Sequence, residues 1–304
     1  MKADIDRAAQ ERSGAALAAL IAGACVMGAS PIFVRLTDVG PQASGFWRTA
    51  LALPILWLWM RIEERGRRPA PPLRFDRAIV LTGVCFAGNL FFWHLAILHT
   101  TVANATFFAV TAPVYVVVGA FLFLGERSGP RVLFGLAACI AGGSALIGES
   151  YQVDPARLSG DLYGLITALF FGAYVVVVRH ARAQHDAARL MFLSTIVTSA
   201  LLLVAAVLLG QQLMPGSLDS LAALVALALV VQVGGQGLLA FALGSLPATF
   251  SSLVVFLEAI AAAALGWLVL GEQVSAVQAF GGLLILLGIF IARPRTALPA
   301  PAAP

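Results

Sequence analysis

Few side chains inside the apolar stretches of this chain could do chemistry. Arg48 is a lone cation in a stretch that carries no other charge between residues 43 and 60. It could hold a solute's carboxylate or a gate partner; equally it could snorkel to a membrane surface or pair structurally. Glu258 ends a long uncharged run, 220–257. Its carboxylate could complement an amine, carry a proton, hydrogen-bond Arg48, or serve as an inter-helix structural pair. Asn89 and Trp93 are four apart and share one helix face. An amide and an indole there could bond and stack against an organic solute. His94 follows, and imidazole titrates near neutrality, so solute binding, proton transfer and plain interfacial placement all remain open. Gln232 and Gln236 repeat the spacing of four amid Gly234, Gly235 and Gly237. Those glycines permit close helix packing, or a local break that frees backbone carbonyls for a ligand. Trp47, Phe107, Tyr115 and Tyr174 are candidate cavity aromatics, each with packing or an aromatic belt as the plainer reading. Pro113 has no amide hydrogen and should kink its helix as a hinge.

These groups must be positioned by membrane spans. Of the 304 residues 60% are hydrophobic and 11% charged, against about 25% charged in soluble proteins. Residues 13–34, 78–125, 190–218, 220–257 and 273–292 contain no Asp, Glu, Lys or Arg. A bilayer core needs about 20 apolar residues per helix. The chain reads as an all-α integral membrane protein with ten transmembrane helices near 15–36, 43–61, 77–98, 102–124, 131–149, 160–180, 189–210, 219–243, 248–270 and 275–292. Turn chemistry marks the breaks, including 38–41, 128–130, 215–216 and 245–247, and Ser275-x-x-Gln278 has the form of a capping box. Cys25, Cys85 and Cys139 lie in apolar runs and imply no disulfide framework.

Of the 19 basic residues, all but Arg35, Arg48 and Arg157 fall on one side of such a layout. The positive-inside rule makes that side cytoplasmic, with both termini inside. The net charge of +4 therefore speaks for membrane orientation, not for a nucleic-acid partner. The expected partners are the lipid bilayer and a small-molecule solute, with the protein a monomer or homodimer.

The sequence also repeats itself. Leu-Phe-Leu-Gly-Glu at 122–126 returns as Leu-Val-Leu-Gly-Glu at 268–272; with the same shift of 146, Phe134-Gly135 falls on Phe280-Gly281 and Gly142 on Gly288. Glu126 and Glu272 follow a glycine at a helix end, which suggests a structural turn whose acid favours the N-terminus of the next helix. Five spans per half is an odd number, so the halves enter the membrane in opposite directions. Such inverted repeats let one scaffold open to either face around a central cavity. The expected organisation is a cytoplasmic segment 1–13, a first repeat 14–149, an extracytoplasmic linker 150–159, a second repeat 160–292 and a disordered tail 293–304.

On these residues the chain resembles the EamA-type branch of the drug/metabolite transporter superfamily. The resemblance covers residues 14–292 and rests on Met27-Gly28 with its counterpart Phe171-Gly172, on Phe46-Trp47-Arg48, on Thr111-Ala112-Pro113 and on the two Leu-Gly-Glu ends. The chain departs from the family pattern at Glu258-Ala259, where the family's second copy usually has Glu-Pro. The resemblance implies ten helices as two five-helix repeats, helices 1–4 and 6–9 around the cavity, and export of amino acids, other metabolites or drugs.

The expected function is therefore alternating-access export of small amphipathic metabolites. Sparse amides and at most two charges suit neutral or aromatic amino acids and disfavour sugar phosphates. Multidrug or organic-cation efflux on the same fold is the alternative. An intramembrane enzyme is a distant one, because no His/Asp/Glu spacing on one helix face would bind a metal, and, as nothing resembles an ATP-binding loop, transport would run on gradients. No cofactor is expected.

Overall fold

The computed structural model describes residues 2–65, 73–99, 108, 111–147, 158–270 and 275–293. Among them every regular element is helical, as an apolar chain in lipid requires, since only internal pairing satisfies its backbone there. The order is α1 (Lys2–Met27), α2 (Ser30–Arg35), α3 (Pro41–Ala50), α4 (Leu53–Glu63), α5 (Arg77–His99), α6 (Ala112–Leu124), α7 (Pro130–Ile147), α8 (Leu158–Ala181) and α9 (Ala187–Leu208). There follow α10 (Leu218–Ala226), a π-helix (Leu227–Gln236), α11 (Gly237–Ala242), α12 (Ala248–Val254), α13 (Leu257–Leu270) and α14 (Ala276–Ala292). Among the described residues six stretches are long and apolar enough to cross a membrane: Ser13–Val34, Arg77–Ala96, Leu158–Ala181, Ala187–Leu208, Leu218–Ala242 and Ala248–Leu265. Ala112–Leu124, Pro130–Ala145 and Ala276–Ala292 are apolar but shorter.

Several expected spans are interrupted. The first turns at Gly28-Ala29, and Pro31 enters the first turn of α2; the second turns at Leu51-Ala52, with Pro54 in the first turn of α4. Proline lacks an amide hydrogen and is tolerated there because that group has no helical partner anyway. Pro113 occupies the same place in α6, so the helix starts afresh at Ala112. The corresponding stretch of the second half also breaks, α12 ending at Val254 and α13 beginning at Leu257, although Ala259 stands where a proline would. The break there is carried by i→i−3 bonds, Glu258 N–H to Val255 O (2.9 Å) and Ala259 N–H to Phe256 O (3.1 Å), which tighten the backbone without proline.

The repeat reappears in the packing. α7 and α14 cross so closely that a Cβ on Gly135 would lie 2.5 Å from the Gly288 carbonyl oxygen, and one on Gly142 would lie 2.5 Å from that of Gly281. As α7 advances, its partner positions on α14 fall, so the two run antiparallel. Shifting each residue by 146 turns one contact into the other. Cys139 Sγ, 3.6 Å from the Ile285 carbonyl and 146 residues from it, maps onto its own pair. Gly28 and Gly172 form a like pair: an added Cβ on Gly28 would meet Glu258 O, Ala261 Cβ and Ala262 N, and one on Gly172 would meet Ala112 O, Tyr115 Cβ and Val116 N, the contacted positions being shifted by 146 and the glycines themselves by 144. Cys139 is buried while Cys25 faces outward.

Polar groups tie the two ends of the bundle. At one end Gly125 closes α6 with φ 66°, and Glu126 then accepts from Ala248 N–H (3.2 Å) and Thr249 N–H (3.5 Å) while Arg179 Nε lies 3.4 Å away. Glu126 thus serves the N-terminus of α12, not that of the helix following it in sequence. Its repeat counterpart Glu272 lies outside the described residues. Nearby, Arg189 bonds Glu64 at 2.7 Å and His185 Nε2 meets Asp76 Oδ2 at 2.6 Å. At the other end Asp38 accepts from Ser220 Oγ (2.6 Å) and Gly216 N–H (3.0 Å). The Ser275–Gln278 capping box forms as its sequence indicates.

Burial would raise the Asp76 carboxyl, but the Ile79 amide, the His185 charge and hydrogen bond and the Ala78 amide outweigh it and hold it below its ordinary value. A carboxylate lowered in the folded state stabilises above its unfolded pKa of about 4 and loses that contribution as pH falls through its folded value. Asp76→Asn should therefore flatten the acid limb of the thermal-stability profile in detergent below about pH 4, leaving neutral pH less stable than wild type. An unchanged acid limb contradicts this. At the α7–α14 crossing, a Cβ on Gly288 would stand 2.6 Å from Gly135 O and 2.7 Å from Cys139 Sγ. Gly288→Val should cost about 1–3 kcal/mol of stability, whereas Gly282→Ala, which meets nothing within 4 Å, should cost none. Equal unfolding midpoints for the two variants would show that the crossing is not tight.

Candidate functional site

The breaks in the helices bring polar side chains together around one cavity of about 300 Å³. The turn at Gly28-Ala29 exposes Met27, Ser30 and Pro31 to it; α5 presents Phe86, Asn89 and Trp93; α6 contributes Ala112 and Pro113; α8 contributes Thr167 and Phe171. The π-helix adds Val231 and Gln236, and the α12–α13 break adds Val255, Phe256 and Glu258. The wall is apolar and aromatic with few polar groups, as organic-solute sites generally are.

Arg48 comes from α3, which is short and starts at Pro41, so its last turn is aimed inward across the bundle. The residue is 8% exposed. Its Nε donates to Gln232 Oε1 at 3.2 Å, and its guanidinium carbon lies 5.7 Å from the centroid of the Phe86 ring. Glu258 enters from the first turn of α13 and lines the same cavity. Among the described residues no salt bridge joins the two. Opposite charges therefore face one apolar space without neutralising each other by contact, and a solute carrying both charges would complement them. Asn89 Nδ2 donates to Thr167 O at 3.3 Å and ties α5 to α8 at the cavity wall. Gln236 is 4% exposed, its Nε2 lies 3.2 Å from Met27 Sδ, and its Oε1 has no partner among the described residues.

Of the residues singled out from sequence, Arg48, Asn89, Trp93, Gln236, Glu258 and Pro113 meet at this cavity. Others lie away from its wall. Trp47 Nε1 donates to Leu213 O at 2.6 Å, which turns the indole toward the connection before α10. His94 is buried beside Gly45 of α3, and its Nδ1 has no hydrogen-bond partner among the described residues. Tyr115 sits where Gly172 crosses α6. Tyr174 is buried behind the cavity, its ring 4.9 Å from Phe86 and 6.1 Å from Phe171. Gln232 also stands behind the wall, on Arg48. Phe107 lies outside the described residues.

Sequence reasoning missed Ser30, Thr167 and Ser252, which line the cavity. Thr167 and Ser252 bond back to Tyr163 O (2.9 Å) and Thr249 O (2.8 Å), the ordinary habit of hydroxyls in apolar helices, so their residue type carried no signal. Phe86 had a signal, lying three residues before Asn89 on the same face of α5.

Comparison with known proteins agrees with this architecture. The family model of the EamA-like transporter family matches twice, over residues 13–147 and 158–293. The pseudopaline exporter CntI of Pseudomonas aeruginosa is 28% identical over 254 residues, covering 83% of this chain and 85% of that protein. An uncharacterized transporter of Archaeoglobus fulgidus is 27% identical over 278 residues, 90% of this chain and 95% of the other. One solved crystal structure superposes with a TM-score of 0.79 at 18% identity over 92% of this chain and 97% of that one, which shows a shared fold. The two matched halves account for nearly all of the sequence, and the chain belongs to the EamA-like transporter family.

Proposed function

We propose that the protein exports small amphipathic metabolites, neutral or aromatic amino acids foremost, across the bacterial inner membrane by alternating access. The observation that carries this reading is the presence of Arg48 and Glu258 on one aromatic-walled cavity with no salt bridge between them among the described residues. A carboxylate placed at Arg48 and an ammonium at Glu258 would each gain a charge-assisted partner, while the side chain lies against Phe86, Trp93 and Phe171. One cation is too few for a sugar phosphate. Similarity to a protein described as a pseudopaline exporter supports outward transport of a small solute.

Ten spans in two inverted repeats, 14–149 and 160–292, with both termini cytoplasmic, supply the mechanism. The self-mapping contacts of α7 with α14, and of Gly28 and Gly172 with α13 and α6, are what two halves able to exchange conformations would make. On this orientation the Glu126–Arg179 cluster stands at the cytoplasmic end. Organic-cation efflux is favoured by one observation only, a carboxylate in an aromatic cavity, and it leaves Arg48 without a role.

Counterflow of labelled L-phenylalanine into liposomes holding the purified protein tests the proposal. Unlabelled neutral and aromatic amino acids should compete, and glucose 6-phosphate should not. Arg48→Gln should lower phenylalanine flux at least about tenfold, the worth of a hydrogen bond to a charged group. Loss of organic-amine flux alone in Glu258→Gln, with amino-acid flux untouched in Arg48→Gln, would overturn amino-acid export in favour of cation efflux.

A further inference from the structure

The π-helix places Gln232 where it can govern the cavity without lining it. Residues 227–236 are fixed by close backbone contact with α1: an added Cβ on Gly23 would stand 2.9 Å from Gly235 O, and one on Gly235 would stand 2.5 Å from Met27 Cγ. A π-turn inside an α-helix shifts the side chains that follow it by part of a turn, and such turns concentrate at functional sites. Here the shift sends two glutamines to different tasks. Gln236 lines the cavity, whereas Gln232, 1% exposed, gives its oxygen to Arg48 Nε at 3.2 Å. Among the described residues this is the only hydrogen bond that Arg48 makes through its side chain, so both terminal nitrogens remain without a protein partner.

A guanidinium binds a carboxylate best through two parallel N–H donors, and that requires its plane to be held. The Nε–H bond to Gln232 from behind and the Phe86 ring at 5.7 Å fix the plane from two directions. We propose that Gln232 is a positioning residue that sets carboxylate selectivity: it holds Arg48 Nε so that the two terminal nitrogens form a rigid fork facing the solute. This rests on Arg48 being the carboxylate anchor of the transport reading above. The fork discriminates a carboxylate from a carboxamide, because an amide nitrogen facing an N–H donor leaves both hydrogens unpaired.

The test measures binding of L-phenylalanine and L-phenylalaninamide to the purified protein in nanodiscs and reads the ratio of the two affinities. Wild type should favour the acid at least about tenfold. Gln232→Leu, which has no acceptor, and Gln232→Met, whose thioether is only a weak one, are of similar bulk and should lower that preference to about threefold or less. In an Arg48→Lys background, which has no Nε–H in that position, Gln232→Met should leave the ratio where Arg48→Lys alone puts it. A merely structural role would lower both affinities together and persist in that background. In wild type the 15N-labelled Nε–H of Arg48 should exchange slowly with solvent, and rapid exchange overturns the proposal whatever the variants do. If Arg48→Gln abolishes the acid preference while both Gln232 variants keep it, the inference about Gln232 fails and the anchor stands. If Arg48→Gln keeps the preference, the anchor itself fails.

Discussion

Helices surrounded by lipid gain nothing from burying apolar side chains against each other, so they are held by close packing and a few polar contacts. In this protein the packing is set by glycines that admit a neighbouring backbone. Gly23 against Gly235, Gly28 against Glu258, Gly172 against Ala112, and Gly135 and Gly142 against Gly288 and Gly281 bring main chains within reach of one another. These crossings decide where the helices break and what the breaks expose. The cavity is the space left where α2, α3, α6 and α13 are too short or too bent to continue such contacts, and Arg48 and Glu258 stand at its rim because their helices begin or end there.

The polar interactions follow a division of labour. Charged pairs sit toward the ends of the bundle: Glu126 with Arg179, the buried Glu64 with Arg189, and Asp76 with His185. Within the bundle the ties are mostly single hydrogen bonds to carbonyls or amides, such as Asn89 to Thr167 and Thr198 to Gly83. Among the described residues, Arg48 and Glu258 are the charged side chains that line the cavity.

Much of this was legible before any coordinates. Uncharged runs gave the membrane class, the Leu-Gly-Glu repeat gave the duplicated halves, and Arg48, Asn89, Trp93, Gln236 and Glu258 stood out because polar groups are rare in such runs. What hid was direction. Gln232 and Gln236 share a spacing but face different partners, because the π-helix alters the angular register that four-residue spacing assumes. Trp47 adjoins Arg48 yet points to the Leu213 carbonyl, since neighbours on a helix diverge by about 100°. The break at Val255-Phe256 carries no proline and so no punctuation, and its cause lies in backbone bonding and in the approach of Gly28.

The Cys139–Ile285 contact has a meaning of its own. In an assembly of two identical chains related by a two-fold, the residue on the axis must touch its own copy, so its size is limited to what can pack against itself. Joining the two units in one polypeptide lifts that restriction, for the copies become separate codons. A thiol on one side and a branched aliphatic chain on the other now share the volume that two equal side chains would have had to split.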